Sequence, residues 1–356
     1  MGDIPLVDLA YQQFVPLFAT VELTLRCNLR CKHCYNFDRD VPLTPDQVAK
    51  ELSPPQILAL IDDLAAEGGL EISFSGGEAL VHPHLEDFVR HARAKDFAVR
   101  VKSNGMLLGD RAQRLSDAGV YAVDVSVYGA SAATHEALTG RPGSFELTLA
   151  GVRAAVAAKL RVSLSFCITR GNTHEIARMV ELAQELGVQY TLDPQLTARY
   201  DGTTSSLDHR VDEATLEALY RGPLRQHLGG PACKPDRDMA CSCAQAVVGV
   251  SATGEVYPCI GAPLPSGNLR DASFREIWRG SPVLNKIRGL TMEDYPTCGT
   301  CADRPFCRRS NGVVFVNTGE YTGLDAWTCM EAKVLHTIHD EGGVAPDAAG
   351  GRLGKY

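Results

Sequence analysis

Along the first two hundred residues, short β-branched runs alternate with stretches whose apolar residues return every three or four positions. The runs are ATVELTL (19–25), LEISFS (70–75), FAVRVKS (97–103), YAVDVSV (121–127), LRVSLSFCIT (160–169) and VQYTLD (188–193). Between them lie PPQILALIDDLAAEG, HLEDFVRHARAKD, DRAQRLSDAG, SFELTLAGVRAAVAAK and HEIARMVELAQELG, most of them ending in Gly. The first set predicts strands and the second amphipathic helices. Strand alternating with helix in six such units implies parallel strands joined by right-handed crossovers, an α/β fold with its working face at the carboxyl ends of the strands.

The pattern changes after residue 193. DPQLTARYDGTTSSLDHRVDEATLEALYRGPLRQ begins as a polar loop and ends as an amphipathic helix. CAQAVVGVSATGEVYPC (243–259) alternates apolar and small residues around a Thr-Gly turn and predicts a hairpin. The last stretch, EGGVAPDAAGGRLGKY, is rich in Gly and Ala and reads as a mobile tail.

Composition narrows the function. With 356 residues, 45% of them hydrophobic, the chain can bury a large core and has the length of about two domains. A net charge of −8 argues against a protein that tracks nucleic-acid phosphates. The N-terminus lacks a basic n-region, and no run reaches the roughly 18 apolar residues of a membrane span. A cytoplasmic protein is expected. In that compartment twelve Cys are metal ligands sooner than disulfides. Three fall at 27–34, one at 167 and eight between 233 and 329, which implies two metal-bearing modules.

In CNLRCKHCY the spacing Cys27-x3-Cys31-x2-Cys34 offers three thiolates to a metal centre, and thiolates serve both iron-sulfur clusters and zinc. With the aromatic Tyr35 next to the last Cys, this spacing resembles the signature of the radical SAM superfamily. The resemblance implies a 4Fe-4S cluster with one iron left for S-adenosylmethionine. Reductive cleavage of that nucleotide would give a 5′-deoxyadenosyl radical that abstracts hydrogen from substrate. It also implies a partial (β/α)6 barrel and an electron donor such as flavodoxin or ferredoxin. Ser75-Gly76-Gly77-Glu78, after the second strand, resembles the family's GGE motif, its glycines admitting close backbone approach and its Glu accepting from the methionyl amine. Ser103-Asn104-Gly105 matches the run that faces the cofactor after the third strand. By the same resemblance Ser126 and Arg141 are candidates for the methionyl carboxylate, a group whose geometry suits Arg. SVYGASAATHEALTGRPGSFELTL, with His135 and Thr139, is similar to the subgroup that modifies ribosomally made peptides. Asp193, Arg199, Asp201 and Arg210 resemble polar positions near the barrel mouth in such relatives.

Strand alternation places Ser163, Ser165, Cys167 and Thr169 on one face. If that face lines the barrel, Cys167 is a candidate hydrogen-atom donor, against the more ordinary role of a buried structural thiol.

The C-terminal third resembles a SPASM domain, which holds auxiliary iron-sulfur clusters. It carries Cys243-x10-Gly254-x4-Cys259, the run GNLRDASFREIW, then Cys298-x2-Cys301-x5-Cys307, and finally Cys329. The resemblance assigns Cys298, Cys301, Cys307 and Cys329 to the distal cluster. The cluster nearer the barrel would use Cys243, Cys259 and upstream Cys241 or Cys233. Its remaining family ligand is replaced by Asn311, so the site either recruits both upstream thiols or keeps an open iron. The expected organisation is an N-terminal segment (1–18), a barrel (19–205), a linker helix (206–232), a SPASM domain (233–339) and a tail (340–356). The expected activity is radical modification of a ribosomal peptide by crosslinking, oxidation or epimerisation. A separate precursor-recognition protein is expected with it, since about twenty residues before the first strand leave no room for a fused one. The alternatives are a sugar, an aminocyclitol or a haem precursor as substrate, and a carrier of electrons without catalysis. Sulfatase maturation fits less well, because Ile260 stands where that family has an acid after the Cys matching Cys259.

Overall fold

The computed structural model describes residues 6–228 and 241–342. Cys233 and the tail from 343 onward lie outside the described residues. Strands β1 (Phe18–Glu22), β2 (Glu71–Ser75), β3 (Ala98–Ser103), β4 (Ala122–Val127), β5 (Arg161–Cys167) and β6 (Gln189–Asp193) fall on the six predicted runs. Each pairs in parallel with the next. The helices between them, Pro54–Ala66, Leu85–Ala94, Leu108–Ala118, Ser144–Ala157 and Ile176–Glu185, fall on the predicted amphipathic stretches. An additional helix, Ala132–Thr139, follows β4 and is capped by the Ser131 hydroxyl.

The predicted hairpin forms as β7 (Val247–Val250) and antiparallel β8 (Val256–Tyr257). It does not stand alone. β7 pairs in parallel with β1, Phe18 opposite Val247, so the sheet runs β6-β5-β4-β3-β2-β1-β7-β8 and the first strand of the cysteine-rich unit continues the barrel. Buried Trp278 donates to the Phe14 carbonyl at 2.7 Å, and Arg279 pairs with Glu67 at 2.7 Å, fastening the helix Phe274–Gly280 of the cysteine-rich unit to the core.

Strand alternation divides the sheet into two chemically distinct faces. Val21, Ile72, Phe74, Val99, Val101, Val123, Val125, Leu164, Phe166 and Leu192 point under the helices and form the core. The opposite face carries Thr20 and Glu22, Ser73 and Ser75, Arg100 and Lys102, Asp124 and Ser126, Ser163, Ser165 and Cys167, and Thr191 and Asp193. That polar interior is organised at its base by Arg100, which bridges Asp124 (2.9 Å) and Glu71 (3.4 Å). A barrel filled for stability alone carries branched apolar side chains inside. This one keeps a polar lumen open to chemistry.

Candidate active site

The loop bearing Cys27, Cys31 and Cys34 leaves the carboxyl end of β1 and lies directly on the Gly76-Gly77-Glu78 turn after β2. Gly77 N–H donates to the Thr24 carbonyl (2.7 Å) and Glu78 N–H to the Arg26 carbonyl (2.9 Å). A Cβ on Gly76, which sits at φ +127°, would stand 2.5 Å from the Thr24 oxygen, and one on Gly77 would stand 2.3 Å from the Arg26 oxygen. Both glycines are therefore required by backbone packing against the cysteine loop itself.

Glu78 is buried and spends both carboxylate oxygens within the protein. Oε1 accepts from Leu80 N (2.9 Å) and Ser103 Oγ (2.8 Å), and Oε2 accepts from Asn104 N (2.7 Å). Burial raises its pKa, with those donors opposing the rise. Asn104, fixed in this way, reaches the cysteine loop: its Nδ2 donates to Asn28 Oδ1 at 2.6 Å and lies 3.9 Å from Cys27 Sγ. Ser103 and Asn104 thus transmit the position of Glu78 to the first cysteine.

Each end of the cysteine triad has a donor aimed at sulfur. Leu29 N–H points at Cys27 Sγ (3.4 Å), and Arg39 Nε at Cys34 Sγ (3.3 Å) while its Nη1 holds the Leu25 carbonyl (2.7 Å). Burial pushes the Cys31 thiol well up, and the neighbouring thiolates of Cys34 and Cys27 add to it. Three thiols crowded together with N–H donors on the sulfurs are costly without a cation, and suit a cluster whose irons supply the positive charge. A cavity of about 190 Å³ opens against Cys27 among Arg26, Arg30, Phe37 and Arg39.

The helix Ala132–Thr139 clamps the other side of the loop. Arg30 and Lys32 N–H groups donate to the Thr139 and Leu138 carbonyls (both 3.0 Å), and Arg141 Nη1 donates to the Asn28 carbonyl (2.9 Å). Glu175 secures the start of that helix by accepting from Ala130 N (2.7 Å), Ser131 Oγ (2.5 Å) and Thr134 Oγ1 (2.7 Å). His135 is fully buried, accepts from Tyr128 N at 3.2 Å, and has its pKa lowered by burial to about 4. The peptide-maturase-like passage is therefore a support for the cysteine loop, a role that its sequence did not disclose.

Inside the barrel Tyr35 donates to Glu22 Oε1 (3.1 Å), and its ring meets Tyr200 edge-on at 5.1 Å. The Tyr200 hydroxyl in turn bonds the Ile260 carbonyl beside Cys259, joining the two cysteine-bearing units across the mouth. Ser126 and Cys167 both lie on the polar face, Cys167 opposite Asp193, and burial pushes its thiol pKa up. Arg199 is buried and donates to the Lys32 carbonyl (2.8 Å), Asp201 Oδ1 accepts from Thr203 N (2.9 Å), and Arg210 Nε holds the Leu196 carbonyl (2.9 Å). These polar residues shape the mouth by binding backbone. Glu22 is a buried acid in the same place that the sequence reasoning passed over, although its period-two alternation with Thr20 and Thr24 marks it as inward-facing.

In the cysteine-rich unit Cys241 and Cys243 bring their sulfurs to 3.1 Å, and Cys259 is hydrogen-bonded to Cys243. Farther out, Cys301 N–H bonds the Cys298 carbonyl (3.2 Å), and Cys307 closes the turn Arg304–Phe306. Burial raises the Cys329 thiol, with Cys298 and Cys301 near enough to raise it further. Cys241, Cys243 and Cys259 thus lie together near the barrel and Cys329 lies near Cys298 and Cys301, and thiolates of this kind are the soft donors that iron-sulfur clusters take.

Residues 21–183 match the Radical SAM superfamily, and residues 241–303 match the SPASM iron-sulfur cluster-binding domain. The chain belongs to the radical SAM superfamily. It is 30% identical over 308 residues to a PqqA peptide cyclase from Streptomyces rochei, covering 81% of this chain and 82% of the relative. It is 29% identical over 337 residues to an AdoMet-dependent heme synthase from Methanosarcina barkeri, covering 86% and 94%. Two solved structures share the fold: Streptococcus suis SuiB bound to precursor peptide SuiA (TM-score 0.68, 13% identity, 90% and 78% covered) and native anSMEcpe with bound AdoMet (TM-score 0.68, 14% identity, 91% and 97% covered). Membership supplies the cofactors: S-adenosylmethionine, the 4Fe-4S cluster and auxiliary clusters. No helix among the described residues is long and apolar enough to cross a membrane.

Proposed function

We propose that this radical SAM enzyme abstracts hydrogen from a side chain or α-carbon of a ribosomally made peptide, leading to a crosslink, another oxidation or an epimerisation. When bound, the reduced cluster and S-adenosylmethionine supply a 5′-deoxyadenosyl radical. Cys27, Cys31 and Cys34 hold that cluster, and Glu78 fixes the Ser103-Asn104 turn against it. Ser126 and Arg141 are assigned to the methionyl carboxylate, with Arg141 already anchored to the Asn28 carbonyl.

The observation that carries the peptide reading is the similarity to a PqqA peptide cyclase, 30% identical over 308 residues. At the barrel mouth the Tyr35 and Tyr200 rings meet edge-on, and the Tyr200 hydroxyl bonds the Ile260 carbonyl.

A carboxylate-bearing small molecule is the second reading. Lys102 lies on the polar face beside Arg100 and makes no ion pair with a described residue, and since Arg100 is already paired with Asp124 and Glu71, Lys102 is the interior cation left for a substrate carboxylate. Similarity to AdoMet-dependent heme synthase favours this version. The test is anaerobic incubation of reduced enzyme and S-adenosylmethionine with peptides encoded beside its gene, or with porphyrin carboxylates. Peptide-dependent 5′-deoxyadenosine with a changed peptide mass or stereochemistry supports the first reading. Turnover of the porphyrin with unaltered peptides overturns it.

A further inference from the structure

At the barrel-proximal auxiliary site the Cys expected four residues after Cys307 is Asn311, and Asn311 is fully occupied elsewhere. Its Nδ2 donates to Tyr295 Oη (2.9 Å) and its Oδ1 accepts from Arg309 Nε (2.7 Å). With 4% of its surface exposed and both ends of the amide bonded, it is not available to a metal.

A different side chain is available. The phenol of Tyr321 is buried and has no hydrogen-bond partner among the described residues. It lines a small cavity of about 20 Å³ together with Cys241, Gln245, Tyr295 and Asn311, room for roughly one water-sized group. Buried hydroxyls are almost always paired, because leaving one unpaired forfeits the hydrogen bonds it made with water. An orphan in a cavity beside the Cys241 thiol calls for an occupant. Arg309 fixes the arrangement: while Nε holds Asn311, Nη2 donates to the Tyr321 carbonyl (3.0 Å) and Nη1 to the Gly323 carbonyl (2.7 Å). The residue that ties Asn311 away from the site is therefore the same one that brings the Tyr321 backbone to it.

We propose that Tyr321, through its phenol oxygen, is the fourth protein ligand of the auxiliary cluster held by Cys241, Cys243 and Cys259, in the place left by Asn311. The inference rests on reading those three thiols as a cluster site. One oxygen–iron bond forms as the phenol proton passes to solvent, and no electron is transferred. A harder oxygen donor in place of a thiolate favours the oxidised cluster, and closure of the fourth iron keeps substrate from binding there, so this cluster serves electron transfer.

The test uses the full-length chain with Cys27, Cys31 and Cys34 all changed to Ala, reconstituted anaerobically, alone and with Tyr321→Phe or Tyr295→Phe added. Iron and sulfide content with an electron paramagnetic signal of the reduced cluster reports whether the site loads. Resonance Raman excited in the visible charge-transfer region reports whether a phenolate is bound. The expected result is tyrosinate ring modes in the parent, their retention in Tyr295→Phe, and their loss in Tyr321→Phe, whose cluster then shifts its signal on addition of cyanide. Clusters assembled without tyrosinate modes, or with modes that survive Tyr321→Phe, overturn the proposal and leave the cluster site standing. A parent in which Cys243→Ala and Cys259→Ala change neither iron content nor signal overturns the site reading itself.

Discussion

Replacing Glu78 by Gln tests whether this acid acts on the cofactor directly or through the turn that it holds. The carboxylate accepts three hydrogen bonds, two from backbone N–H groups and one from Ser103. Gln keeps one oxygen, enough for Leu80 N and Ser103 Oγ, and turns its NH2 toward Asn104 N–H, placing donor against donor. A bond to a charged group is worth about 1.5–3 kcal/mol and a stranded buried donor costs about 1–3. Against this stands the desolvation cost of a buried carboxylate, which is the main reason its pKa is raised. The net loss is then about 1–3 kcal/mol in stability. Asn104 also loses the anchor from which it reaches Asn28 and Cys27, and a misplacement of about 1 Å costs on the order of 10²-fold in rate. Urea unfolding of the reconstituted protein, beside 5′-deoxyadenosine formation and S-adenosylmethionine affinity, gives the three readouts. All three should fall together. Weaker nucleotide binding at unchanged stability would refute the tethering argument and return Glu78 to the methionyl amine.

Three further perturbations follow from the same contacts. Gly77→Ala places a methyl group against the Arg26 carbonyl, where the ideal Cβ stands 2.3 Å away; as an overpacked backbone contact it should cost about 1–3 kcal/mol and reduce iron bound at Cys27, Cys31 and Cys34, measured by iron assay against an intact auxiliary signal. Arg39→Leu removes the N–H donor from Cys34 Sγ. Losing a cation and a donor disfavours the reduced cluster by on the order of 1 kcal/mol, so its potential should drop by about 40 mV, read by spectroelectrochemistry. Although burial raises it, hydrogen bonds from Ser131, Thr134 and Ala130 bring the Glu175 pKa below that of a free Glu. A depressed folded pKa means stability present above the unfolded value near 4.5 and lost as pH falls through and below it. Denaturation between pH 6 and pH 3 should show a steeper acid loss in the parent than in Glu175→Gln, and equal slopes would refute the assignment.

The six parallel strands were legible because each is a short β-branched run set between amphipathic helical stretches, most of them ending in Gly, and the cysteine groupings were legible because their short spacings stand out in the chain. The attachment of β7 to β1 was not. Val247–Val250 reads locally as half of a hairpin, and its pairing with Phe18–Val21 joins segments more than two hundred residues apart that share no local signal. The role of Glu78 was likewise hidden, since a motif names a residue without naming the donors that fold around it.

The exchange at position 311 is the instructive case. Spacing alone leaves a gap in the ligand set, and the structure shows why the gap need not be filled from position 311. Arg309 draws the Asn311 amide aside and fixes the backbone of Tyr321, ten residues farther on, beside the same cavity. A ligand position in such a loop is a place in space that several chain positions can supply, and the buried phenol of Tyr321, unpaired among the described residues, is the observation from which its assignment is argued. If Tyr321 closes that iron, the radical site and the auxiliary site divide their labour. On that proposal the polar lumen near Cys27 would receive the substrate, and the thiol set joined to it through the Tyr200–Ile260 hydrogen bond would accept the electron that an oxidised product must give up.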